Sequence, residues 1–127
     1  MEAPPPKYLI AIVEREPTIR YALESLLMSA GFAAEAFASA EAFLGSTVRE
    51  RTGCLILDVE LPGMSGLELQ QHLVAIRSRI PIIVMTARPD AAWQRARAMR
   101  AGAVAFLLSP FTADELLRTV LEVVRTP

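Results

Sequence analysis

The chain has 127 residues, a formal net charge of −1, 53% hydrophobic residues and a single cysteine, Cys54. That length suits one domain with a fillable core and some apolar surface left over for a partner. The near-neutral charge leaves no footprint for nucleic acid or an anionic membrane, one cysteine permits no intrachain disulfide and no paired-cysteine metal site, and no apolar run is long enough to cross a bilayer. No charged-then-apolar leader opens the sequence, and a reducing cytoplasm is the expected location.

Met1 to Lys7 contains Pro4-Pro5-Pro6 and reads as an extended tail, so the domain is expected over 8–127. Tyr8 to Val13 is an apolar run suited to a strand covered on both faces. Pro17 to Ala30 carries Ile19, Ala22, Leu23, Leu26 and Leu27 at helical spacing, and Gly31 stops it. Ala33 to Phe37 is a short second strand, and Ser39 caps a short helix with Ala42, Phe43 and Leu44 that ends near Gly45. Cys54 to Asp58 is the third strand. The third helix begins at Ser65, where Glu68 completes a capping box, and Leu69, Leu73 and Ile76 form its apolar stripe.

Pro81 precedes the fourth strand, Ile82 to Thr86, at a position that tolerates a missing N–H. A helix over Asp90 to Ala101 ends at Gly102, and Val104 to Leu108 is the fifth strand. Thr112 and Glu115 make a second capping box, and the last helix runs to about Arg125 with Leu116, Leu117, Val120, Leu121 and Val124 inward. Strands alternating with helices imply a single doubly wound α/β domain, a parallel sheet of five strands with right-handed crossovers and five flanking helices. Every strand-to-helix junction then lies on one edge, where open α/β sheets place their chemistry. That edge collects Glu14, Arg15 and Glu16 after the first strand, Asp58 after the third, Thr86 after the fourth and Ser109 after the fifth.

The segment Leu55-Ile56-Leu57-Asp58-Val59-Glu60-Leu61-Pro62-Gly63-Met64-Ser65-Gly66-Leu67-Glu68, with Val84-Met85-Thr86-Ala87 and Ser109-Pro110-Phe111 further on, resembles the receiver domain of bacterial two-component response regulators. The resemblance covers Tyr8 to Arg125 and implies a flavodoxin-like sheet in the order 2-1-3-4-5. It implies that Asp58 is the phosphoacceptor, whose carboxylate attacks the phosphorus of a phosphodonor, displaces the donor's leaving group and becomes an aspartyl phosphate. A Mg²⁺ ion would be held by an acidic pair at Glu14 and Arg15, by Asp58 and by the Glu60 carbonyl. Thr86 and Ser109 would fall at the phosphoryl-contact positions, and Phe106 at the aromatic switch position.

Two of those positions depart from the family pattern. Arg15 stands where a metal-binding carboxylate is usual, and Ser109 where a lysine is usual. Phe106 is a ring without a hydroxyl. Mg²⁺ favours carboxylates and water at octahedral positions, and Arg15 brings a fixed positive charge to the place of the metal, so weak Mg²⁺ binding is expected. Glu16 is one more carboxylate near that place, although at the head of the first helix it also suits the helix dipole. Arg15 is expected to turn its guanidinium toward Asp58 or Glu14. His72, the only histidine, has no partner at ligand spacing. Trp93 and Met99 read as core or interface residues.

The expected function is therefore a receiver domain in two-component signalling that is not an enzyme and that acts as a regulatory interaction module with impaired aspartyl phosphorylation. The alternative is a working phosphoacceptor, phosphorylated on Asp58 by a histidine kinase and controlling a DNA-binding output. The expected partners are a histidine kinase or another signalling protein, and a second copy of the chain through the fourth helix, fifth strand and fifth helix, where Arg95, Arg97 and Arg100 lie beside Asp114 and Glu122. A flavodoxin-like cofactor binder is rejected, because Glu14-Arg15-Glu16-Pro17 replaces the Gly/Ser/Thr-rich loop that would cradle a phosphate.

Overall fold

The sheet edge that gathers the polar residues is built by five parallel strands in the order β2-β1-β3-β4-β5. The computed structural model describes residues 9–88 and 90–125. The tail expected over 1–7, Tyr8 and the end of the domain at Pro127 lie outside the described residues. The elements run β1 (Leu9–Val13), α1 (Pro17–Ser29), β2 (Ala33–Phe37), α2 (Ala40–Leu44), β3 (Thr52–Asp58), α3 (Gly66–Ala75), β4 (Ile82–Thr86), α4 (Ala91–Arg100), β5 (Ala105–Leu108) and α5 (Ala113–Arg125).

The apolar strands are continuous in hydrophobicity because both faces are covered, and the period of two sorts their side chains. Ala11, Val13, Leu55, Leu57, Ile82 and Val84 face a core completed by Phe43 of α2, Leu69 and Leu73 of α3 and Ala98 of α4. Ile10, Ile12, Cys54, Ile56, Ile83 and Met85 face the opposite core, completed by Leu23 and Leu27 of α1 and by Leu116 and Val120 of α5. Cys54 is buried there as a small apolar residue, and burial pushes its thiol up to about 12, out of the reactive range. Both capping boxes form: Ser65 with Glu68 at α3, and Thr112 with Glu115 at α5. Gly31 and Gly102 take positive φ (+96° and +107°) just past α1 and α4, where a side chain would be strained.

The structure corrects several details. β3 begins at Thr52, because a 3₁₀ turn over Val48–Arg51 precedes it and the Thr52 hydroxyl donates to the Val48 carbonyl at 2.8 Å. Ile76 is not part of the buried stripe of α3: it is the C-cap, rotated off the helical face and 51% exposed. Ile19, Ala22 and Leu121 are likewise exposed, since α1 and α5 each rest on the sheet by a narrow stripe. Trp93 and Met99 of α4 lie on the surface, which excludes the core reading for both.

Candidate functional site

Strand register decides which residues meet. Val13 pairs with Leu57, Asp58 with Met85, and Thr86 with Leu108. One residue further along each strand, Glu14 comes level with Asp58, and the Ser109 N–H donates to the Thr86 carbonyl at 2.8 Å. Glu14, Asp58, Thr86 and Ser109 therefore form one row across the carboxyl edge. Behind Asp58, α3 packs so closely that a Cβ on Gly66 would stand 2.1 Å from the Asp58 carbonyl oxygen. This is the physical reason for glycine at that point of the motif, and the Gly66 N–H donates to the Val59 carbonyl at 3.0 Å.

Glu14 is buried, and its carboxyl group is in hydrogen-bond contact with that of Asp58. Burial raises the Glu14 pKa to about 7, with the Asp58 charge adding to the rise, while the Glu16 N–H at 2.9 Å opposes it. Asp58 is also raised, chiefly by burial, against the Glu60 N–H that donates to its Oδ1 at 3.0 Å. Two carboxyl groups in contact cannot both ionise cheaply, and they titrate as a pair.

Arg15 does not take up the expected position. It is exposed, and among the described residues no ion pair within 4.0 Å joins it to Glu14 or Asp58; its charge lowers both pKa values only slightly. Its carbonyl is held instead by Arg20, whose Nη1 donates to the carbonyls of Glu14 (2.9 Å) and Arg15 (3.2 Å). Glu16 turns away from the row to cap α1, accepting from the Thr18 N–H at 3.4 Å. Thr86 is buried, and its Oγ1 accepts from the Arg88 N–H at 3.3 Å. Ser109, which precedes a cis peptide bond to Pro110, brings no charge. Phe106 is half-buried and packs against the core that holds Leu57 and Val84. His72 is exposed on α3, away from the row.

The sequence reading missed two side chains. Arg20 lies six residues from Glu14, and no periodicity marks the reach of its guanidinium back to the β1–α1 junction. Arg88 crosses from the end of β4 to the Glu60 carboxylate, with Nη1 3.5 Å from Oε2, and it also pairs with Asp90. Its place two residues after Thr86 was the one signal available.

The row can be tested against a hard, oxygen-bound cation. Glu14, Asp58 and the Glu60 carbonyl are donors of the right kind. The set is one carboxylate short at Arg15, Glu16 is occupied as a cap, and among the described residues no group of three His, Cys, Asp or Glu side chains is placed to hold a metal. The fit to Mg²⁺ is incomplete.

A half-buried aspartate at the carboxyl end of β3, a buried acidic residue beside it after β1 and a buried hydroxyl at the end of β4 form a polar row at one edge of a doubly wound sheet. The chain belongs to the response regulator receiver domain family, whose model matches residues 10–121. It is 43% identical over 115 residues to nodulation protein W of Bradyrhizobium diazoefficiens, covering 91% of this chain and 50% of that protein. It is 36% identical over 116 residues to the transcriptional regulatory protein FixJ of the same species, covering 91% and 56%. The chain thus spans about half the length of these curated relatives. Among solved structures it superposes on the FixJ N-terminal domain with a TM-score of 0.85 at 35% identity, covering 94% and 95% of the two chains. The response regulator StyR gives 0.84 at 42% identity, covering 92% and 59%. A further neighbour, the receiver domain of a sensor histidine kinase of Pseudomonas aeruginosa, has a magnesium ion coordinated in its active-site cleft; it scores 0.82 at 26% identity, covering 94% and 98%.

Proposed function

We propose that this receiver domain works as a non-enzymatic interaction module of two-component signalling, in the cytoplasm, with Mg²⁺-dependent phosphorylation of Asp58 impaired. The observation that carries the reading is the Glu14–Asp58 pair: the two carboxyl groups face each other in one row, and no cationic side chain among the described residues is within 4.0 Å of either. A dianionic phosphoryl group on Asp58 needs charge compensation. Ser109 offers none, and Arg15 stands where the metal would need a carboxylate. The expected partners are a histidine kinase or another signalling protein, and a second copy of the chain through α4, β5 and α5. That face exposes Trp93 (59%), Val104 (49%) and Leu108 (54%). Nothing in the charge of the domain favours nucleic acid, and no helix among the described residues is long and apolar enough to cross a membrane.

Thermal melting in increasing Mg²⁺ tests the site. The reading expects a negligible rise in Tm, and a rise that saturates at submillimolar Mg²⁺ would overturn it. The second reading, a phosphoacceptor driven by a kinase to control an output, draws on the Asp58 Oδ1 held by the Glu60 N–H and on Thr86 in the same row.

A further inference from the structure

The junction between β4 and α4 departs from the other helix starts of this chain. Glu16, Ser39, Ser65 and Thr112 each turn a side-chain oxygen onto a backbone N–H of the helix that follows. The first three have extended backbones, with ψ of 115°, 161° and 167°. Asp90, a residue type that caps well, does not cap α4: its side chain makes no cap hydrogen bond, and its ψ of 34° is far from the extended value. Its carboxylate is taken by Arg88, with Nε 2.9 Å from Oδ1 and Nη2 3.4 Å from Oδ2. The remaining guanidinium nitrogen, Nη1, lies 3.5 Å from Glu60 Oε2 at the rim of the Asp58 row. The Arg88 backbone N–H is bound to the Thr86 hydroxyl. One arginine thus touches the β3–α3 junction, the end of β4 and the start of α4.

We propose that Arg88 is a positioning residue that withholds the N-cap of α4, and that its release lets Asp90 cap the helix and order the first turn, which carries the exposed Trp93. This deepens the proposed function and rests on the reading that α4 is part of the association face. The partners of Arg88 sit on the rim of the Asp58 row, so a group that competes there for its guanidinium changes the start of α4. The helix dipole adds to the effect, because a guanidinium at a helix N-terminus is unfavourable and a free carboxylate is favourable.

The Trp93 N–H already donates to the Asp90 carbonyl at 3.2 Å, so amide hydrogen exchange at Ala92, the second position of α4, separates a cap from a general charge effect. Arg88→Ala should slow exchange at the Ala92 amide about fivefold, the usual worth of a cap. Asp90→Ala should undo that protection in the Arg88→Ala background and have a much smaller effect alone. Arg88→Ala/Asp90→Asn should keep the protection, because asparagine caps without charge. Equal effects of Asp90→Ala in both backgrounds, or loss of protection with Asp90→Asn, would overturn the exchange of partners. Sedimentation of wild type and Arg88→Ala tests the link to the surface, with a shifted monomer–dimer balance expected. An unchanged balance with the exchange results as expected would leave the clamp standing and overturn its link to α4 as an association face.

Discussion

At the scale of single residues, the acidic pair sets the chemistry of the edge. Burial and the neighbouring Asp58 raise Glu14 from 4.5 to about 7. Protonated Glu14 therefore favours the fold: its contribution is full below about pH 4.5 and is lost as pH rises through about 7. Glu14→Gln keeps a donor toward Asp58 and an acceptor for the Glu16 N–H without a titrating proton. It should match wild type at pH 5 and exceed it at pH 8, by on the order of 1–3 kcal/mol in urea unfolding. A variant that loses stability equally at both pH values would contradict the raised pKa of Glu14. Arg15 leads to a different expectation from its sequence position. Since it is exposed and forms no ion pair among the described residues, Arg15→Ala should change stability by no more than about 0.5 kcal/mol, again read by urea unfolding. A loss of several kcal/mol would mean that its charge matters to the carboxylates far more than its distance implies.

At the scale of elements, strands and helices were legible because the physical constraint on each is local. β1, β3 and β4 are apolar on both faces, and the capping boxes at Ser65 and Thr112 fix where α3 and α5 begin. The exposures of Ile19, Ile76 and Leu121 were not legible. Helical spacing shows which residues share a stripe, and the packing against the sheet decides how much of that stripe is covered. The site divides in the same way. Glu14, Asp58, Thr86 and Ser109 follow from strand ends, whereas the reaches of Arg20 and Arg88 belong to flexible side chains that obey no period. Gly66 shows what a motif position does at this scale. Gly66→Ala would drive a Cβ into the Asp58 carbonyl. Backbone cannot yield there as a side-chain tip would, so the cost should be about 1–3 kcal/mol or more, with a matching fall in the urea midpoint. A neutral Gly66→Ala would mean that α3 moves freely against β3.

At the scale of the whole molecule, the Asp58 row lies at one edge of the sheet, and the exposed apolar residues of α4, β5 and α5 form the side of the same unit. β5 joins the two, because it pairs with β4 through Thr86 and Leu108 and also bears Phe106. Self-association should depend on the apolar residues of that face. Trp93→Glu and Leu108→Glu should each shift sedimenting species toward monomer at high micromolar concentration, while Tyr21→Glu, on exposed α1, should not. Association that survives both face variants would place the contact elsewhere. The central claim is that the site has lost the charges that Mg²⁺-dependent phosphorylation requires. Restoring them by Arg15→Asp with Ser109→Lys supplies the missing carboxylate and the missing cation. The direct measurement is intact-protein mass spectrometry of wild type and this double variant, side by side, after incubation with acetyl phosphate and Mg²⁺. The account predicts a phosphoryl adduct that maps to Asp58 in the double variant and little or none in wild type; a stoichiometric, Mg²⁺-dependent adduct at Asp58 of wild type within minutes would contradict it.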